Sequence, residues 1–209
     1  MIRRLLAILA GAACTVLMLS AAHAATKPAC PELDEQQKAQ LAAGEVVAWA
    51  TRDESGSDVA TATGVVEIRG TSQQIFEVLC SEAHSVASSK AMKECNIEKD
   101  ERLASDHRRL TVTYKMKVVT QEFQWTVVRN LYEGQGLLTF EIAPDYDNDI
   151  AWTAGQYSIY PGQSADTVLV VYVSNLDSGR HIPRWVEEDL TQGSLKRYLR
   201  YLKTATEAG

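Results

Sequence analysis

The sequence predicts an α+β fold in which one curved antiparallel sheet folds around a long C-terminal helix. Three observations carry that prediction. Apolar and polar residues alternate with period two over residues 110–118 and again over 123–127. Turn signals then punctuate a further series of strands up to residue 175, and an apolar stripe at helical spacing runs from Arg184 to about Thr206. Sustained alternation means that one face of the sheet is covered and the other wet. A sheet of this length can wrap the last helix and leave a cavity between them.

The chain opens with Arg3 and Arg4, an uncharged apolar stretch from Leu5 to Leu19, and the small-residue tail Ser20-Ala21-Ala22-His23-Ala24. That order is the order of a secretory signal peptide cut after Ala24. The apolar stretch is about 15 residues, short of the ~20 that a spanning helix needs. Cys14 is a poor lipidation site, because Thr15-Val16-Leu17-Met18-Leu19 continues the apolar run past it. Residues 1–24 are therefore expected to be removed, leaving a periplasmic or secreted protein with no stable membrane span. Without Arg3 and Arg4, the 21 basic residues fall to 19 against 27 acidic ones, a net charge of about −8. Such an acidic chain, lacking a basic stripe, is a poor candidate for nucleic acid. Its length suits one domain.

Within the remainder, residues 25–43 are expected to form a tether and a helix. Leu33, Gln37 and Leu41 share a face of that helix, and Gly44 stops it. Residues 44–50 have a strand-like centre, 52–58 form a turn, and 60–69 form the next strand. Thr71-Ser72 then caps a helix whose Ile75, Phe76 and Leu79 lie together. Residues 80–96 are polar and are expected to mix helix and loop. Leu110, Val112, Tyr114, Met116 and Val118 form one face of a strand, and Phe123, Trp125 and Val127 one face of another. Residues 137–143, 150–160 and 167–175 complete an antiparallel run whose short connections imply a meander. Pro183 suits a first helical turn. Trp185, Val186, Leu190, Leu195, Tyr198, Leu199 and Leu202 make the apolar stripe of the last helix, with Lys196, Arg197 and Arg200 largely opposite.

Three cysteines remain after cleavage: Cys30, Cys80 and Cys95. An oxidising compartment favours a disulfide, and three pairings are open. Cys80–Cys95 is favoured; it closes a loop of about 15 residues, worth ~3 kcal/mol in the chain-entropy model. The alternative is buried, reduced thiols packed as small hydrophobes.

The order of elements resembles the START-like helix-grip superfamily (SRPBCC), and within it the coenzyme-Q-binding and polyketide-cyclase-type branch. The resemblance spans residues 44–203, nearly the whole mature chain. It is carried by the strand-to-helix join from Gly64 to Leu79, by Gly155-Gln156-Tyr157-Ser158-Ile159-Tyr160-Pro161 with Val171-Tyr172-Val173, and by Gly179-Arg180-His181-Ile182-Pro183-Arg184-Trp185-Val186. The sequence departs from the pattern where family members often carry a Trp in place of Phe76, an Asp soon after Leu79 and a Trp near Tyr157. A longer polar insertion also runs to Asn96. The resemblance implies a START-like ligand-binding domain over residues 44–206, with a hydrophobic cavity between sheet and helix for a lipid, quinone or sterol-like molecule and no cofactor.

Candidate wall residues are Val66, Ile68, Tyr114, Met116, Phe123, Trp125, Tyr157 and Trp185, several of them aromatic or Met as pocket walls often are. Ordinary core packing is the competing reading for each. If alternation persists from Phe123, Arg129 also faces inward. Glu141 on the next strand is then placed to oppose it, as an ion pair that would orient a ligand's polar head. Catalytic groups are not indicated. His84, His107 and His181 are widely spaced among polar residues, and no Gly-x-Ser-x-Gly or His-Glu-x-x-His motif occurs. Asp145-Tyr146-Asp147-Asn148-Asp149 opens like a calcium loop, but Ile150 and Gln156 stand where Gly and the bidentate Glu are needed, so no metal is expected. The favoured function is an exported, non-catalytic carrier of an apolar ligand. The alternatives are a cyclase- or hydrolase-type enzyme using the same cavity, or an envelope partner-binding protein whose cavity its own side chains fill.

Overall fold

The computed structural model describes residues 26–52, 60–118, 120–177 and 193–209. The expected signal peptide, most of the turn at 52–58, His181 and the helical positions Trp185, Val186 and Leu190 lie outside these residues.

Local chemistry sets the first helix, α1 (Glu35–Ala42). Asp34 caps it, its carboxylate accepting from the Gln37 N–H at 2.7 Å while the Gln37 side chain accepts from the Asp34 N–H at 3.0 Å. This reciprocal pair satisfies two donors that the first turn leaves open. Gly44 follows at φ +77°, a left-handed conformation that favours glycine. Then come β1 (Val47–Arg52) and β2 (Ala60–Arg69). Thr71 and Gln74 build a second capping box at the start of α2 (Ser72–Leu79), which buries Ile75, Phe76 and Leu79.

The polar insertion is more ordered than its composition suggests. It holds a short helix, α3 (Glu82–Ala87), capped by Ser81, and then a full strand, β3 (Met92–Arg102). No strand is expected there from the sequence. The reason it was illegible is burial: of its residues only Cys95 is fully buried and most are exposed and charged, so no apolar alternation survives. It is an edge strand, and charge on an edge discourages pairing with another chain.

The meander follows as expected: β4 (His107–Val118), β5 (Gln121–Tyr132), a 3-10 turn (Glu133–Gln135), β6 (Leu137–Ile142), β7 (Trp152–Pro161) and β8 (Thr167–Asp177). Among the described residues, eight strands form one antiparallel sheet in the order β1-β2-β8-β7-β6-β5-β4-β3. The final helix, α4 (Ser194–Glu207), lies along β2. Leu195, Leu199 and Leu202 are buried at 7%, 0% and 1% exposure, each worth roughly 1.5–3 kcal/mol by area. At the far end of the helix, Lys203 donates to the Glu67 carbonyl at 2.8 Å and the Glu207 carboxylate accepts from the Arg69 N–H at 3.0 Å.

The opposite face of the sheet is covered locally as well. Leu41 of α1 packs with Val47, Val65 and Val171. The segment before α1 is pinned there by Lys27, which donates to the Ile159 carbonyl, and by the Tyr160 hydroxyl, which donates to the Pro28 carbonyl at 2.7 Å. The fold is α+β: an antiparallel sheet packed against the C-terminal helix.

Candidate functional site

Strand register decides which side chains face α4. Tyr114 pairs with Trp125, Met116 with Phe123, Leu138 with Tyr157, Tyr157 with Tyr172, and Tyr172 with Gly64. Directly opposed residues share a face, so the aromatic wall spans five neighbouring strands in two groups, Tyr114 with Trp125 on β4–β5 and Phe140, Tyr157 and Tyr172 on β6–β8, with Arg129 between them. Tyr114 and Trp125 stack with centroids 5.3 Å apart, Phe140 and Tyr172 stack at 6.1 Å, and Tyr157 tilts against Tyr172 at 4.8 Å. Tyr198 closes the wall from α4, accepting a hydrogen bond from the Tyr157 hydroxyl at 3.0 Å.

Two glycines permit this arrangement by close approach. A Cβ on Gly64 would lie 2.5 Å from Leu199 Cδ1, so α4 rests directly on the backbone of β2. A Cβ on Gly155 would meet the Val173 carbonyl at 2.3 Å and Phe140 Cζ at 2.5 Å, so the Phe140 ring lies where any other residue would stand.

Arg129 is the one charged side chain among the described residues set into this wall. Its cross-strand partners are Leu110 and Phe140. One guanidinium N–H donates to the Leu79 carbonyl at 2.6 Å, at the end of α2, and the guanidinium carbon lies 5.4 Å from the Tyr114 ring centroid. Its Nε is buried without a partner, as is the Tyr114 hydroxyl. Burial opposes the Arg129 charge, while the Tyr114, Tyr157 and Tyr198 hydroxyls, once ionised at high pH, hold its pKa above the ordinary value. Burial pushes the pKa of Tyr114 and Tyr157 well up and that of Tyr172 to about 12, against the smaller opposing pull of Arg129. These phenols are therefore neutral donors at ordinary pH.

A tight cleft with no room for a water molecule adjoins Arg129, between the end of α2, the start of α3 and the inner face of β3–β4; Cys80, Ser85, Cys95 and Leu110 are among its walls. A second cleft, with a cavity volume of about 10 Å³, lies between α3 and α4, where the His84 ring and the Tyr201 hydroxyl share a hydrogen bond at 2.8 Å.

Each predicted wall residue among the described ones has a defined place. Val66, Ile68, Tyr114 and Tyr157 are buried in the main core, with Trp125 packed against it. Met116 and Phe123 are half-buried near the opposite edge of the sheet. The Arg129–Glu141 pairing is not formed. Glu141 stands opposite Val128 and Ala154, which puts it on the other face of the sheet, exposed. A register one residue away from the expected one is sufficient, since it reverses the face. The expected Cys80–Cys95 bond is likewise not formed. Both are free thiols lining the same cavity, their pKa raised by burial, with Cys95 beside Ser85 and Tyr114. Around the acidic turn, the Asp149 carboxylate accepts from the Gln124 N–H and the Asn148 side-chain oxygen from the Thr126 N–H, both at 2.7 Å, so these groups tie the turn to β5.

Sequence reasoning missed Phe140, Tyr172 and Tyr198 as wall residues. Phe140 was legible from the alternation Leu138, Phe140, Ile142. Tyr172 was not. Residues 168–173 are apolar throughout because Leu169, Val171 and Val173 pack in the second core, on the outer face, and a strand covered on both sides shows no alternation.

No protein-family model and no curated protein matches the sequence. Solved structures do. The STAR-related lipid transfer protein of Xanthomonas axonopodis is similar with a TM-score of 0.60 at 18% identity, over 77% of this chain and 93% of that one. Human STARD10 gives 0.58 at 13% identity, over 86% and 81% of the two chains. Human StAR-related lipid transfer protein 5 gives 0.57 at 13% identity, over 78% and 83%. This chain shares the START-like fold of these structures, an antiparallel sheet packed against a C-terminal helix.

Proposed function

We propose that this protein is a non-catalytic carrier that holds an apolar ligand between the aromatic inner face of its sheet and α4. The observation that carries the reading is the wall itself: Tyr114, Trp125, Phe140, Tyr157 and Tyr172 lie on the side of the sheet that bears α4, and Tyr157 and Tyr172 meet Tyr198 of that helix. Similar structures that are named as lipid transfer proteins support it. The described cavities are contracted, so loading a ligand requires a wall to move. The element suited to moving is α3, a helix of six residues that buries no side chain fully; few buried contacts mark the regions that open most readily. The same proposal places the protein outside the cytoplasm after cleavage behind Ala24.

Native mass spectrometry and organic extraction of the protein purified from its own envelope test the reading. A stoichiometric apolar molecule, or uptake of added lipid or quinone by the emptied protein, is the expected result. A protein that is empty and takes up neither overturns it and favours the partner-binding alternative.

A further inference from the structure

Holding an apolar tail requires nothing of Arg129. An arginine set into an aromatic wall is costly, because taking a guanidinium out of water removes hydration that only hydrogen bonds and opposite charge restore. Arg129 is half-buried as a whole, and its buried part recovers little of that hydration. Leu79 supplies one carbonyl, Nε has no acceptor, and no carboxylate among the described residues pairs with it. The acidic side chain lining the adjoining cavity, Glu82, is exposed and accepts from the Ile97 N–H at 2.6 Å. Glu141, on the next strand, faces the other way. The Tyr114 hydroxyl, under the same guanidinium, is a second buried group with no partner. The surrounding tyrosines donate hydrogen bonds but bring no negative charge.

The site therefore presents a full positive charge and a surplus of donors. An oxyanion supplies the missing charge and the missing acceptors together. A neutral alcohol or quinone supplies acceptors only, and an ammonium head is repelled. We propose that the ligand is an amphiphile with an oxyanion head, a carboxylate or a phosphate monoester, bound by Arg129 Nε–H and the Tyr114 hydroxyl while its tail lies along the aromatic wall. This rests on the apolar-ligand reading and specifies its polar end. Hydrogen bonds to a charged group correspond to a preference of about tenfold to a hundredfold over the neutral analogue.

Equilibrium dialysis of the delipidated protein against dodecanoate, dodecyl phosphate and dodecanol, three probes with one tail, separates the possibilities. The expected result is tighter binding of at least one anion than of dodecanol, by about tenfold or more. In Arg129→Met that preference disappears while dodecanol binding is retained; the tighter anion in the parent protein names the head. Equal affinity for all three overturns the oxyanion proposal and leaves the apolar-ligand reading standing. A preference that survives in Arg129→Met overturns the role of Arg129. Binding of none of the three overturns both. Thermal unfolding of the variant is measured alongside, and Arg129→Gln, which keeps a donor, replaces it if Arg129→Met does not fold.

Discussion

Replacing Gly64 with alanine isolates the contact that joins sheet and helix. Gly64 has no positive φ, so alanine meets no backbone strain there, and removing a glycine restricts the unfolded chain. On that ground alone the substitution stabilises by about 0.4–1 kcal/mol. Against it stands the added methyl, 2.5 Å from Leu199 Cδ1 and 3.1 Å from Leu195 Cδ2. Leu199 is completely buried, so its side chain can yield only by shifting within the packed core. Overpacking of this kind costs typically 1–3 kcal/mol. The cost wins, with a net loss of about 1 kcal/mol, or ~2–4 °C in Tm for a chain of this size. Leu199→Ala alone should cost about 2–5 kcal/mol through the void it leaves. In the double variant the new methyl enters that void, so the penalty of Gly64→Ala vanishes and the cycle shows a coupling of about 1 kcal/mol or more. Urea unfolding followed by circular dichroism, at unchanged m, measures all four corners. A Gly64→Ala protein as stable as the parent, or strictly additive effects, would refute the idea that α4 rests on this backbone.

Three further outcomes are expected. Of the eight tyrosines, five have pKa values raised by burial, the more exposed Tyr160 and the deeply buried Tyr114, Tyr157, Tyr172 and Tyr198, and the last four carry the effect. Unfolded tyrosines ionise near pH 10, so the folded state keeps protons that the unfolded state has lost. The resulting stability is complete below pH 10 and falls as pH rises through the folded values, by about 1.4 kcal/mol per pH unit for each; phenolate absorbance should show these four ionising together with unfolding, and independent titration near pH 10 would contradict the burial. Tyr157→Phe removes the donor to Tyr198 and should cost ~1 kcal/mol, whereas Tyr157→Phe with Tyr198→Phe should cost less than the two single changes summed; an additive result in denaturant titrations would show the bond to be worthless. Under reducing conditions a thiol reagent should label exposed Cys30 quickly and Cys80 and Cys95 slowly, and equal rates for all three would show the cavity wall to be open; mass measurement of protein taken from its envelope without reductant reports whether Cys80 and Cys95 are linked.

What the sequence determined by itself is what short-range chemistry dictates. Thr71 followed by Gln74 set the start of α2, Gly44 the end of α1, and the alternation from Leu110 to Met116 a half-covered strand, because caps, positive φ and period two are local properties. The inward face of Arg129 followed from the same alternation. Everything that depended on register across strands was decided in three dimensions. Glu141 is a single residue from facing Arg129, and that residue places it in solvent. The strand at 92–102 carries its charges because it lies at an edge, a position that no local pattern encodes. The aromatic wall belongs to this second class. It exists because Gly64 and Gly155 let α4 and Phe140 approach the sheet closely enough for Tyr198, Tyr157 and Tyr172 to meet, and close approach between distant segments is a property of packing.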